Sequence, residues 1–223
     1  MTETPTNLFS ELYAAYAAGC LDPAFALMVE TQSALRPGIR QSVAVSEMIA
    51  GAVLETAPAA PLSEGALDRA LAAIDALDTG AEASVAAGRA AGEATQEVLA
   101  LPEPLRGAAL EAIGRAGWKR MGRGLKRLSL LSDAGLETEL YRISPGARIP
   151  HHTHAGTEYT LVVAGGFSDE RGSYGPGEVM INGPDDLHQP VGDEGEVCYA
   201  LAVRDGGLRF TGMLGLLQRL TGA

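Results

Sequence analysis

Residues 150–190, PHHTHAGTEYTLVVAGGFSDERGSYGPGEVMINGPDDLHQP, decide how the rest of the chain is read. All four histidines of the protein, His151, His152, His154 and His188, fall inside this stretch. In a strand, residues two apart share a face, so His152 and His154 point together and His151 points away. Glu158 follows a short Ala-Gly-Thr turn and can return to that face from the next strand. His188 can close the group from a distant strand. Three imidazoles and a carboxylate suit zinc, or divalent iron, manganese or nickel. The expected metal ligands are therefore His152, His154, Glu158 and His188, with His151 facing outward or supporting from behind. No catalytic residue is assigned.

Upstream of this stretch the pattern falls into two kinds. Leu8, Leu12 and Tyr16 recur at helical spacing, and Gly19 stops them. Asp22-Pro23 reads as an N-cap with proline in the first turn of a second helix, which Pro37-Gly38 ends. A third helix is expected over about 40–55, with Val43, Ile49, Val53 and Leu54 inward. APAAP at 57–61 is a linker, and Ser63 can cap a fourth helix carrying Leu67, Leu71, Ile74 and Leu77. The tract 79–94 is rich in Ala and Gly and reads as a loose connection. A short helix is expected around Leu105 to Ile113. From Trp118 onward the period becomes that of strands, with 125–131 and 136–143 first and Tyr199, Leu201 and Val203 last. The expected fold class is α+β in two domains, an all-α helical bundle at 1–78 and an antiparallel β-barrel at 101–223, joined by a linker at 79–100.

Composition sets the outer limits. The chain has 223 residues, 46% of them hydrophobic, which suffices for one large domain or two small ones. No run of about 18 apolar residues exists to cross a membrane. The first residues, MTETPTNLFSEL, lack the basic and apolar regions of a signal peptide, so a cytoplasmic location is expected. Cys20 and Cys198 are then expected as free thiols. Residues 1–114 hold 5 Lys and Arg against 15 Asp and Glu, whereas 115–223 hold 12 against 13. An acidic half does not neutralise phosphates, which argues against direct nucleic-acid binding and suits a basic protein partner, or solubility alone. Six basic residues between Arg115 and Arg127 are read as a solvated first strand facing the acidic half.

The histidine stretch resembles the cupin family. That family's first motif is matched by Gly146, His152, His154, Glu158 and Gly165, and its second by Gly177, Pro184 and His188. Asp185 and Asp186 replace the usual glycine turn, and no asparagine follows His188 at the expected distance. The first half adds a second resemblance. YAAYAAGCLDPAFALMVETQSALRPGIR and SEMIAGAVLE, then LPEPLR, Trp118, MGRGLKRLSLL and the late Cys198, resemble the ChrR-type anti-sigma factors in the family's order. The resemblance implies a helical domain that holds an extracytoplasmic-function sigma factor inactive. It also implies a metal-binding cupin, with zinc first among the metals, that releases the factor under oxidative stress. The family's helical domain carries a second zinc, but Gln32, Arg36 and Ile39 stand at its ligand positions here, so none is expected there. The alternative is a metal-dependent cupin enzyme of the dioxygenase or isomerase class, which requires a substrate-sized cavity at the metal. A homodimer through the cupin half is left open.

Overall fold

A computed structural model of the chain describes residues 6–76, 93–133 and 135–210. Helices come first: α1 at Thr6–Ala17, α2 at Pro23–Leu35 and α3 at Pro37–Glu55. A fourth, α4, is described over 66–76. Then follow α5 at Glu93–Leu99 and α6 at Leu105–Arg115. The start of α2 follows from local chemistry. The Asp22 carboxylate accepts from the Ala24 amide, and Pro23 occupies a first-turn position where its missing N–H costs nothing. Of the sequence-defined linker 79–100, residues 93–99 are helical as α5, and 79–92 lie outside the described residues.

Strands fill the second half. The first three are β1 at Lys119–Gly122, β2 at Leu125–Asp133 and β3 at Leu136–Ile143. Next come β4 at His152–His154, β5 at Glu158–Ala164, β6 at Phe167–Asp169 and β7 at Gly172–Tyr174. The last four are β8 at Val179–Asn182, β9 at Val191–Gly192, β10 at Cys198–Arg204 and β11 at Leu208–Phe210. All pairings are antiparallel. One sheet has the order β1-β2-β3-β10-β5-β8, a second pairs β11 with β4, and a third runs β7-β6-β9. The strands are thus cupin-like in arrangement but divide among three sheets. Among the described residues no single ladder closes into the barrel expected from the sequence.

The large sheet is apolar on both faces. All seven residues of β10 are buried. On one face Leu128, Leu140, Leu161, Leu201 and Val203 pack under α2, α5 and α6, through Leu27, Met28, Val98, Leu105 and Ala109. On the other, Tyr141, Ile143, Val162, Met180, Cys198 and Ala200 form a second cluster with Phe167. A strand whose residues alternate between two hydrophobic layers reads as a continuous apolar run, which is what CYALAVR shows. Helix α2 therefore belongs to the layer over the sheet as much as to the helical cluster. Its opposite side supplies Val29 to a small core with Tyr13 and Val43.

One expectation fails along the helices. Val43 is buried, but Ile49, Val53 and Leu54 are exposed, Val53 at 66% and Leu54 at 73%. Leu67, Leu71 and Ile74 of α4 are exposed as well. Helical periodicity located an apolar stripe on each helix, and among the described residues nothing covers either. Of the six basic residues expected on a solvated first strand, Lys119 and Arg120 lie on the fully exposed β1, whereas Lys126 and Arg127 of β2 are half-buried, Arg127 pairing with Glu139 at 2.9 Å.

Candidate metal centre

Backbone pairing builds the centre. His152 and His188 form an isolated antiparallel bridge in which each amide donates to the other's carbonyl, both at 3.1 Å. Such an opposed pair sends both side chains to one side of the ladder. His154 lies two residues beyond His152, shares its face, and is fully buried. The result is convergence at one ring atom. His188 Nε2 lies 3.1 Å from His152 Nε2 and 3.2 Å from His154 Nε2. Among the described residues these three histidines form the group able to hold an ion, with ligand atoms all within 4.8 Å of one another.

The spacing fits a metal. A zinc–nitrogen bond of about 2.1 Å places two ligand nitrogens about 3.4 Å apart at a tetrahedral angle and about 3.0 Å apart at a right angle. The observed separations fall between those limits. The other ring nitrogens fix the tautomers. His152 Nδ1 donates to the Pro150 carbonyl at 2.9 Å, and His188 Nδ1 to the Asp169 carboxylate at 3.2 Å. Both leave Nε2 with its lone pair inward, the form a metal needs. His154 Nδ1 is buried and makes no hydrogen bond, standing 3.8 Å from Glu158 Oε2. That distance is beyond hydrogen-bond range but close enough for the carboxylate to favour a proton on Nδ1. Burial holds the His152 and His154 imidazoles at pKa values of about 4, so both are neutral at ordinary pH.

Glu158 is buried beside the group, and its carboxylate is turned elsewhere. Strand register explains this: Glu158 of β5 lies opposite Arg204 of β10 and Asn182 of β8. Its Oε1 accepts from Thr160 at 3.0 Å, and its Oε2 is 3.6 Å from Arg204. Burial raises the Glu158 pKa, against the opposing pull of Arg204. His151 faces outward and meets Glu170 at 3.3 Å.

The sequence reading missed the groups that hold this site. Asp169, Asn182 and Arg204 each sit two residues from a buried residue on the same strand face: Phe167, Met180 and Ala202. Period-2 alternation could have pointed to all three. Arg204 is nearly enclosed and also donates to Glu137, Glu139 and the Tyr141 hydroxyl, at 2.8, 2.6 and 2.9 Å. Asn182 lies with Nδ2 3.5 Å from His188 Nε2, and its oxygen accepts from Arg171. The cavity lined by Tyr141, His152, Glu158, Thr160, Phe167 and Met180 is about 30 Å³, space for water-sized occupants.

Antiparallel sheets around an inward histidine cluster define a cupin-like domain with a candidate metal site. A family model described as the ChrR cupin-like domain matches residues 107–205. Over 91% of its length the chain is 34% identical to the anti-sigma-E factor ChrR of Cereibacter sphaeroides, covering 91% of that protein. The chain belongs to the ChrR family of anti-sigma factors. The crystal structure of Rhodobacter sphaeroides SigE in complex with the anti-sigma ChrR is also similar. Its TM-score is 0.62 at 28% identity, over 88% of this chain and 96% of that one.

Proposed function

We propose that the chain is a cytoplasmic anti-sigma regulator that binds an extracytoplasmic-function sigma factor through its helical part, 1–78. The cupin part, 101–223, senses oxidative stress through a bound metal. The observation that carries this reading is the uncovered apolar surface of α3 and α4. Met48, Ile49, Val53, Leu54, Leu67 and Leu71 are all exposed on two successive helices. A soluble chain that leaves such residues in one region has a partner for them. Acidic residues stand among them: Glu47, Glu55, Glu64, Asp68 and Asp75. An apolar centre with an acidic rim suits a basic partner, as a sigma factor that grips promoter DNA must be.

From the sequence alone, a partner surface in the helical half is expected to centre on Leu8, Tyr13, Tyr16 and Phe25 with a rim of Glu11, Asp22, Glu30 and Glu47, and several of these are engaged elsewhere. Tyr13 is buried, Phe25 packs edge-on against Tyr159 at 5.0 Å, and Tyr16 donates to Glu30 at 2.9 Å. Asp22 is occupied as the cap of α2, and the Leu8 side chain lies outside the described residues.

In the cupin part, His152, His154 and His188 hold the metal, zinc before iron, manganese or nickel. Glu158 becomes the fourth donor only by leaving Thr160 and Arg204. A bound metal would supply Lewis acidity and a site for small oxidants; the protein supplies three inward-facing imidazoles, an enclosing apolar wall and restricted access. The sheets together wrap this site as a barrel. The enzyme alternative asks for a pocket of about 300 Å³ or more. The cavity of about 30 Å³ supports the sensor instead.

The test has two arms. Capture of an extracytoplasmic-function sigma factor by the wild-type chain, lost in Val53→Asp with Leu71→Asp, is the expected result; capture unaffected by that pair refutes the surface. Elemental analysis is expected to find about one metal per chain, absent in His152→Ala with His188→Ala. Full retention of metal in that variant refutes the site.

A further inference from the structure

One short loop touches the helical cluster and leads through β8 toward the three-histidine centre. Residues 175–178 connect β7 to β8. Gln32 of α2 donates from Nε2 to the Gly177 carbonyl at 3.1 Å, while its Oε1 accepts from the Tyr13 hydroxyl of α1 at 3.2 Å. Arg36 donates from Nε to the Pro176 carbonyl at 2.8 Å and stands 3.9 Å from Glu178. Arg36 is also the extended residue between α2 and α3, so the loop is bonded where those helices join. Both contacts go to loop carbonyls, so they register where the backbone lies rather than which side chains it carries.

The loop has little slack. Gly177 donates to the Val162 carbonyl at 2.8 Å, Glu178 to the Gly175 carbonyl at 3.0 Å, and the Gly175 amide to the Glu178 carboxylate at 2.8 Å. The Arg36 side chain lies flat over Gly177, where a Cβ would come within 2.4 Å of it. Strand β8 begins two residues after Gly177 and ends at Asn182, which reaches His188 Nε2. Strand β8, paired with β5 along all four of its residues, spans the roughly 13 Å between the loop and the histidines.

We infer that Gln32 and Arg36 form a clasp that couples occupancy of the three-histidine site to the seating of helix α2. An ion at the histidines takes the His188 Nε2 lone pair that Asn182 Nδ2 faces at 3.5 Å, so its arrival resets the contact at the end of β8. Strand β8 and its loop then present two ordered carbonyls, and α2 locks onto them. Loss or rearrangement of the ion loosens the loop, and with it the junction of α2 and α3 from which the uncovered apolar surface extends. The inference rests on the metal reading above and deepens it into a route of regulation.

Amide hydrogen exchange on the full chain tests the coupling, with chelator-treated and zinc-loaded protein compared and bound zinc measured in each sample. In the wild type, zinc is expected to slow exchange in residues 150–190 and also in α2, the latter on the order of tenfold, the factor that two net hydrogen bonds readily carry. Gln32→Ala with Arg36→Ala is expected to abolish the gain in α2 and keep the gain in 150–190. Gly177→Ala, which displaces Arg36 without deleting it, is expected to do the same and stands in if the double variant does not fold. An α2 gain that survives in these variants overturns the clasp, as does a wild type in which zinc binds and α2 does not respond. Sigma capture is scored separately. Failed capture with intact coupling removes the proposed function alone, and intact capture without coupling removes the clasp alone.

Discussion

Replacing Asp169 puts the second layer of the metal centre to a quantitative test. Its side chain has no exposed surface and accepts from His188 Nδ1 at 3.2 Å, holding that ring with Nε2 inward. Asp169→Ala removes the acceptor and leaves a buried imidazole N–H without a partner. Loss of such a group behind a ligating histidine weakens metal binding about 10- to 100-fold. The effect is legible in thermal unfolding. At a zinc concentration 100 times the wild-type Kd, binding stabilises the fold by about 2.7 kcal/mol; with a 100-fold weaker site the same concentration gives about 0.4 kcal/mol. For a chain of this size those values correspond to Tm increases of about 5–11 °C and about 1–2 °C. Asp169→Asn keeps an acceptor oxygen and loses the charge, so it belongs between them, near a tenfold loss. The assay is Tm against free zinc in a metal buffer, with a competing chelator to fix Kd. Zinc-dependent Tm shifts that agree among wild type, Asp169→Ala and Asp169→Asn would refute the role assigned to Asp169, and with it the argument that tautomer control prepares the centre.

Three further outcomes follow from the fold. Val53→Asp changes an exposed residue with no packing partner to lose, so its effect on stability is expected within about 0.5 kcal/mol by denaturant titration while sigma capture falls. Leu201→Ala opens a void in the fully buried central strand and is expected to cost about 3–5 kcal/mol in urea unfolding. The hydrogen bond from Arg142, with help from Tyr199, lowers the Glu97 pKa to about 2. A depressed carboxylate pKa stabilises the fold above the usual value near 4.5 and loses that contribution as pH falls toward 2. Because the Glu97 side chain is 42% exposed, Glu97→Gln is expected to remove no more than about 1 kcal/mol at neutral pH, and the difference from wild type to shrink below pH 4.

How legible all this was depends on what each residue's role required. The Asp22-Pro23 cap is local, and the sequence located it correctly. His152, His154 and His188 were identified by period and by the absence of histidine elsewhere, and their rings do converge. Glu158 was placed at the same point because it lies at a suitable spacing. Its orientation is decided by Arg204, which is 46 residues away in sequence and adjacent only through strand register. The alternation that exposes Asp169 and Asn182 was present in FSD and VMIN, but a polar residue on an inward face is ambiguous until its neighbours are known. The apolar stripe on α3 failed differently. Periodicity reports that a face is apolar and cannot report whether the same chain covers it, so Ile49, Val53 and Leu54 were assigned to an interior they do not occupy.

The position of β10 imposes an order on biosynthesis. It lies between β3 and β5, and α2 packs on the layer that β10 completes, through Ala24, Leu27 and Met28. On a ribosome α2 leaves the exit tunnel some 170 residues before β10 does, an interval of roughly 9–34 s at ordinary elongation rates. Throughout that time the sheet under α2 lacks the strand that joins β3 to β5, and the outer faces of α3 and α4 have no cover among the described residues. The nascent chain thus offers apolar surface on both sides of its helices before its central sheet is complete.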